Sequence, residues 1–390
     1  MAEMQKVRLG DIVKTNQNTY SPNESWTFVN YLDTGNITEN KIEDIQHINT
    51  LTEKLPSRAR RKVRENSIIY STVRPNQQHY GIIKKQPDNF LVSTGFTVID
   101  VDTEKAVADY IYYVLTQQDI TEHLQAIAEQ SVSAYPSLKP SDIENLEISL
   151  PDIDTQKRVV SILSAIDAKI TKNAEINNNL EQQLHLLFIQ IFNGISEDVV
   201  LGDVVETTSG GTPSRKHTEY YENSSICWVK SKELLGNYIL DTEEHINDIA
   251  LSKSSAKLLP MHSVLIAMYG ATVGAYGIIS KSMTCNQAVC ALLCNEKYPY
   301  TYLFQIAQEQ QQKLINMAVG SAQQNISQVL IKQLPLHSDI AAIRKFHNLA
   351  LPLHKQIEKL QAENRTLSEM RDTLLPQLMS GKLDVSDIDL

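Results

Sequence analysis

Two heptad seams in the same phase, 187 residues apart, constrain this chain more than any other feature. Ile166, Ile170, Asn173, Asn177, Leu180, Leu184, Leu187 and Ile191 follow one another at alternating gaps of 4 and 3. Adding 187 to each number gives Leu353, Ile357, Leu360, Asn364, Leu367, Arg371, Leu374 and Leu378, with Gly194 answered by Gly381. A 3.5-residue period held over eight positions specifies a long helix that buries one stripe against a partner. The match continues upstream. Leu138, Ile143, Leu146 and Ile148 answer Ile326, Ile331, Leu334 and Leu336, Leu9-Gly10-Asp11-Ile12-Val13 answers Leu201-Gly202-Asp203-Val204-Val205, and Tyr80-Gly81-Ile82-Ile83 answers Tyr276-Gly277-Ile278-Ile279.

The order is therefore globular unit, long helix, globular unit, long helix, and a repeat of this length dictates the architecture before any local signal is weighed. We expect units at 1–150 and 198–335, with helical spacers at 151–197 and 336–390. The helices are predicted over Gln156–Asn193 and Ile340–Ser380, each ending at a C-capping glycine, and the first would span roughly 57 Å at about 1.5 Å per residue. Pro352 predicts a kink or a late start in the second. Within the units, short β-rich runs (Ser67–Tyr70, Phe96–Val101) alternate with helical stretches (Ala106–Glu129, Tyr300–Met317), an α+β pattern.

Apolar residues make up 42% and charged residues 21% of 390, the balance of a folded globular chain. Thirty-six basic against 46 acidic residues give a net charge of -10, which excludes coating of nucleic acid or anionic membrane by bulk charge alone. Four cysteines form no disulfide framework, and the charged stretch Met1–Arg8 lacks the apolar core of an export signal, so a cytoplasmic location is expected. The uncharged run Leu258–Ser280 contains Pro260 and three glycines and reads as two strands around a turn.

P-loop, nucleophile-elbow and zinc-helix motifs do not occur in the sequence. A nuclease-like string does, Pro151-Asp152 followed by Asp167-Ala168-Lys169. Its acid and lysine fall on different faces of a helix, so a solvated helix face is the expected reading. Cys285, Cys290 and Cys294 lie in an apolar run and read as small core residues rather than zinc ligands. Thr207–Arg215 is either a phosphate cradle of backbone amides or a bare Gly/Ser turn.

Charge is concentrated in one place. From Lys54 to Lys85 there are nine Lys/Arg and one acid, Glu65, a local excess of +8 in an acidic chain. Ile249 to Asn295 holds Lys253, Lys257 and Lys281 and no acid. Hydroxyls, amides and aromatics (Tyr70, Tyr80, Trp228, Tyr269) are interleaved with these cations, a mixture suited to holding phosphates and reading base edges. The competing reading is a solvated basic face or a dock for an acidic partner.

Ser209-Gly210-Gly211-Thr212-Pro213-Ser214, Trp228-Val229-Lys230 and Gly270-Ala271-Thr272-Val273-Gly274 resemble the target-recognition domain of type I restriction-modification specificity subunits. Gln156–Ile170 and Arg371–Gly381 are similar to the helical repeats of that family. The first unit departs from the pattern: Asn18-Thr19-Tyr20-Ser21-Pro22 stands where the Ser-Gly-Gly-Thr-Pro-Ser motif is expected, and Ser71-Thr72-Val73-Arg74-Pro75 replaces Gly-x-x-x-Gly.

The resemblance implies a non-catalytic DNA reader whose two target-recognition domains bind the halves of a bipartite, asymmetric site. It also implies partners: adenine-methyltransferase subunits carrying S-adenosylmethionine, and translocase-nuclease restriction subunits using ATP and Mg2+, with no cofactor or metal on this chain. The expected DNA-binding residues are Arg58, Arg60, Arg61, Lys62, Arg64, Arg74 and Lys84 in the first unit, and Ser209, Thr212, Arg215, Lys216, Lys230, Tyr269 and Thr272 in the second. Two like readers on a duplex are related by a dyad, so the helices should pair as an antiparallel coiled coil with pseudo-two-fold symmetry. The seam would hold Ile166, Ile170, Asn177, Leu180, Leu187 and Ile191 against Leu353, Ile357, Asn364, Leu367, Leu374 and Leu378. In that register Asn177 faces Leu367 and Asn364 faces Leu180, both Asn either buried or turned to water. An equivalent reader for a type II-like combined restriction-methylation enzyme, or a coiled-coil scaffold that binds no DNA, are the alternatives.

Overall fold

The computed structural model describes residues 4–131, 136–319 and 325–386. Contacts gather the chain into two units, one holding residues up to Ala168 together with those from Leu367 onward, the other Lys169–Thr366. The two long helices, Ile153–Phe192 and Ile340–Met379, are shared between the units, so the segments 151–197 and 336–390 are each divided.

Both helices start at an aspartate whose side chain takes up an orphan amide of the first turn: Thr155 N–H donates to Asp152 and Ala342 N–H to Asp339, each at 2.9 Å. Both stop at a left-handed glycine, Gly194 at φ +79° and Gly381 at φ +67°. Pro352 neither delays nor interrupts the second helix. It sits on the exposed side while Ala350, His354 and Ile357 bury the opposite face, so its lost hydrogen bond falls where water can replace it.

The helices run antiparallel within each unit. In the first unit Asp167 meets Arg371 at 3.2 Å, and Val159 and Leu163 join a core with Leu374 and Leu378. In the second, Asn173 meets Asn364, and the Phe188 and Phe346 rings stand 5.5 Å apart. Asn364 therefore faces Asn173 rather than Leu180, one heptad away from the pseudo-symmetric register. A slide of seven residues leaves an apolar heptad pattern unchanged, so polar groups and the aromatic end decide it. The Asn173 amide also donates to Glu363 at 2.9 Å, and the Asn364 amide donates to the Ile170 carbonyl at 3.1 Å. Of the two asparagines expected either buried or turned to water, Asn177 is buried and Asn364 is half-buried; Asn173 is buried as well. Beyond Leu184 the buried positions are Phe188 and Phe192, with Leu187 and Ile191 at their flank. A straight helix of 3.6 residues per turn drifts from a 3.5 period, and two Phe side chains packed into the unit's core favour the drift.

The strand orders of the two units correspond. In the first, one sheet runs Val13–Thr15, Phe96–Val101, Ile68–Ser71, Tyr80–Ile82; in the second, Glu206–Ser209, Val289–Leu293, Val264–Ala267, Tyr276–Ile279, with Tyr238–Ile239 added. The second sheet of each unit has a parallel pair flanked by an antiparallel neighbour: Phe90–Ser93 beside Phe28–Leu32 and Gln46–Asn49, and Thr284–Cys285 beside Ile226–Val229 and His245–Ile246. A short ribbon closes each unit, Gln5–Arg8 with Glu147–Leu150 and Val199–Val200 with Pro335–Leu336. In the first unit the end of the second helix lies against the start of the chain, a Cβ on Gly381 coming within 2.9 Å of the Met4 methyl.

Leu258–Ser280 contains two strands, Val264–Ala267 and Tyr276–Ile279, as its composition predicts, and among the described residues no helix is long and apolar enough to cross a membrane.

Candidate nucleic-acid interface

The basic run of the first unit folds into a strand, Ala59–Lys62, on the edge of a sheet, where it pairs with Phe90–Ser93. In the second unit the corresponding stretch holds the short helix Asp248–Lys253. The charges of the run divide into two groups. Lys62 is ion-paired to Glu24 and lies 5.1 Å from the Trp26 ring; Arg64 reaches Asp100 at 3.1 Å; Lys84 reaches Asp109 at 2.6 Å. Asp100 is only 6% exposed, so the Arg64 guanidinium and the Ser67 hydroxyl, 2.6 Å away, neutralise an acid that would otherwise be costly to bury. Arg58 is exposed and Arg60 and Arg61 are partly so; burial lowers the Arg61 pKa, and its Nε has no hydrogen-bond partner among the described residues. Tyr70 and Tyr80 belong to the core and stack on each other at 5.6 Å, so neither is a surface platform for bases.

Arg74 lies on the loop that follows Ile68–Ser71, and this loop has a counterpart 196 residues on. Arg74 (φ +49°) and Gln78 (φ +56°) take the left-handed conformation at the positions answered by Gly270 (φ +69°) and Gly274 (φ +80°). A single-turn 3-10 helix lies in each loop, Pro75–Gln77 in the first and, one residue earlier by this correspondence, Gly270–Thr272 in the second. Ser71 N–H donates to His79 O at 2.9 Å, as Ala267 donates to Ala275 at 2.7 Å; Leu138 donates to Thr72 at 2.7 Å, as Ile326 donates to Met268 at 2.9 Å. Isolated bridges, Val73 with Ser137 and Tyr269 with Asn325, tie both loops to the segment before the next helix. The Gly-x-x-x-Gly backbone therefore persists in the first unit under other residues. Arg74, Asn76 and Gln77 are exposed, as is Tyr269 at 42%, and the Thr272 hydroxyl donates to the Tyr269 carbonyl at 3.1 Å.

In the second unit Gly210 and Gly211 are required by close approach. A Cβ on Gly210 would run into the Cys285 carbonyl, and one on Gly211 into the Ser255 backbone. Gly211 N–H donates to Cys285 O at 2.9 Å, so this amide is committed to the fold and the string is a structural turn rather than a phosphate cradle. Ser209 sits in the strand paired with Val289–Leu293, and the Thr212 hydroxyl donates to Gln287. Trp228 is 3% exposed and its indole N–H donates to the Gly211 carbonyl at 3.0 Å, which removes it from the surface. Arg215 and Lys230 both pair with Glu244, and Arg215 stacks 4.3 Å above the Tyr221 ring. Burial alone would raise the Glu244 carboxyl, but hydrogen bonds from Lys230 and Arg215 and their charges hold it below its ordinary range. Lys216 is exposed beside this cluster.

The nuclease-like string disperses. Asp152 caps a helix, Asp167 accepts from Tyr113 OH at 2.7 Å and pairs with Arg371, and Lys169 pairs with Glu363. Asp167 is thus tied into packing rather than set on a solvated face. Burial pushes the Cys285, Cys290 and Cys294 thiols up to about 12, as expected of core cysteines. A further group, missed in the sequence because its members lie on separate strands and a loop, is Cys227, Asp241 and His245, whose ligand atoms lie within 4.8 Å of one another. The Asp241 carboxylate already receives Arg365 at 2.5 Å and has Lys281 at 3.9 Å, two positive charges that oppose a third.

Residues 1–182 and 195–337 match the family model for the type I restriction modification DNA specificity domain. The type I restriction enzyme HindI specificity subunit of Haemophilus influenzae is 21% identical, with 98% of this chain and all of that one covered. The MjaIX specificity subunit of Methanocaldococcus jannaschii is 25% identical, covering 79% of this chain and 76% of its own. Among solved structures, the type I restriction-modification S subunit from M. genitalium shares the fold, at a TM-score of 0.62 and 14% identity over 97% of this chain and 96% of that one.

Proposed function

Because the chain belongs to the type I restriction-modification DNA specificity family, we propose that each of its two units reads one half of a bipartite, asymmetric duplex site. The observation that carries this reading is a shared strand framework bearing different exposed side chains. Arg58, Arg60, Arg61 and Arg74 are the first unit's contacts in this reading, and Lys216, Tyr269 and Thr272 the second's. Lys62, Arg64 and Lys84, with Arg215 and Lys230, hold their own acids and shape the surface around them. Cations hold phosphates and set register, while amides, hydroxyls and Arg at groove edges carry sequence information.

The chain itself is then a non-catalytic reader, and chemistry resides on partners. Adenine-methyltransferase subunits bring S-adenosylmethionine, and restriction subunits bring ATP-driven translocation and Mg2+-dependent cleavage. The string Asp152, Asp167 and Lys169 supports this view, since each of its members is engaged in capping or ion pairing. The test is an exchange of residues 198–335 for the same unit of a relative, followed by methylation mapping with the assembled complex. One half of the recognised sequence should change and the other stay; a change in both halves would overturn independent reading.

A further inference from the structure

Resting on that reading, we propose that the loop at residues 72–79 and its counterpart at 268–275 form the element through which the units differ in the bases they read. In the first unit Arg74, Asn76 and Gln77 would be the base-reading residues. The backbone of the two loops agrees in both left-handed positions, in the 3-10 turn, in two cross-loop hydrogen bonds and in the bridge to the following segment. The side chains do not agree. Arg74, Asn76 and Gln77 correspond to Gly270, Thr272 and Val273. A loop kept only for its shape would hold glycine at its left-handed positions, because a Cβ there is strained. Arg74 carries that strain on an exposed, anchored turn, with Pro75 buried beneath it and Asn76 N–H donating to Gln125 at 3.2 Å.

Such a turn is pre-organised. The chemistry of its side chains then sets the bases. Arg forks to guanine O6 and N7, and Asn or Gln to adenine N6 and N7. The first half-site should thus hold a guanine read by Arg74 beside an adenine read by Asn76 or Gln77. At the same positions the second loop exposes only Thr272, whose hydroxyl donates to the Tyr269 carbonyl and whose methyl suits a thymine methyl, while Val273 is buried in the core.

The test uses the full-length chain co-purified with its methyltransferase subunit and a selection from random duplex DNA. R74G removes the side chain and relieves the left-handed strain, while R74K keeps the charge and the stem, and melting temperatures measured for both separate lost reading from lost folding. We expect R74G, and R74K likewise, to lose about ten- to a hundredfold discrimination at one base pair of one half-site, the other half remaining intact. N76A/Q77A should relax a neighbouring adenine. R58A, as a comparison, should weaken binding without changing the selected bases. If R74G or R74K selects the wild-type sequence with undiminished discrimination, this assignment fails while the DNA-reading function stands. If the wild-type complex enriches no bipartite sequence at all, the function itself fails.

Discussion

The Asn173 side-chain amide donates to the Asn364 side-chain oxygen at 2.8 Å, so a polar residue of each helix meets its counterpart inside a largely apolar seam. The pair makes register a polar choice. N173L should leave Asn364 without its donor and lower stability by about 1–2 kcal/mol, whereas N173L/N364L should recover much of that loss. Equilibrium denaturation of the four proteins of this cycle measures the coupling. Additive effects would show that the two amides do not act together.

Arg64 and Arg58 should part company when each is replaced by alanine. Loss of Arg64 strands the buried Asp100 and should lower stability by about 1–2 kcal/mol, a figure reduced for the exposed position of the guanidinium. R58A/R60A should leave denaturation curves in place and instead flatten the salt dependence of DNA binding, by up to about one unit of slope for each phosphate no longer neutralised. The decisive comparison is thus denaturation against salt titration for the same variants.

Acid should loosen the second unit before the first. Burial, with His262 and His347 nearby, holds the His354 pKa down to about 3, and burial also lowers those of His262, His337 and His347. An unfolded chain takes up these protons near pH 6.5 and the folded unit cannot, so the stability they contribute is full above about 6.5 and drains away as pH falls toward 3. Hydrogen exchange at pH 7, 6 and 5 should show protection falling first in peptides from 198–335. H354Q should blunt the trend; protection lost equally in both units would contradict it.

Two glycines should respond differently to alanine, for different physical reasons. G210A drives a methyl into the Cys285 carbonyl and should lower stability by about 2–3 kcal/mol. Gly270 has open space around its missing Cβ, so G270A meets only the left-handed backbone penalty of about 1 kcal/mol. Thermal melts that rank the two in the opposite order would refute this account.

Much of the architecture is legible in the sequence because period survives divergence. Seams 187 residues apart, glycine stops and matched apolar tetrads locate both helices and show that one pattern occurs twice. Register is not legible, since a seven-residue slide preserves the apolar heptad pattern, and the polar pair Asn173–Asn364 and the Phe188–Phe346 contact distinguish the alternatives. The basic run overstates the available charge for a related reason: Glu24, Asp100 and Asp109 are 38, 36 and 25 residues from Lys62, Arg64 and Lys84, the cations they neutralise. The first unit looks unlike the second at Ser71–Pro75 because Arg74 and Gln78 adopt a backbone that composition assigns to glycine.

Met4 beside Gly381 has one more consequence. In the second unit the chain runs on covalently from Gly194 into the ribbon strand Val199–Val200; in the first, the end of the helix and the start of the ribbon strand Gln5–Arg8 are neighbours in space. The first unit closes in space where the second closes along the chain. A circular permutant that joins residue 386 to residue 4 through a short linker and opens between 195 and 198 would keep every seam and ribbon while reversing which reader is synthesised first. If that permutant still folds and methylates the same site, gene order and site order are separable.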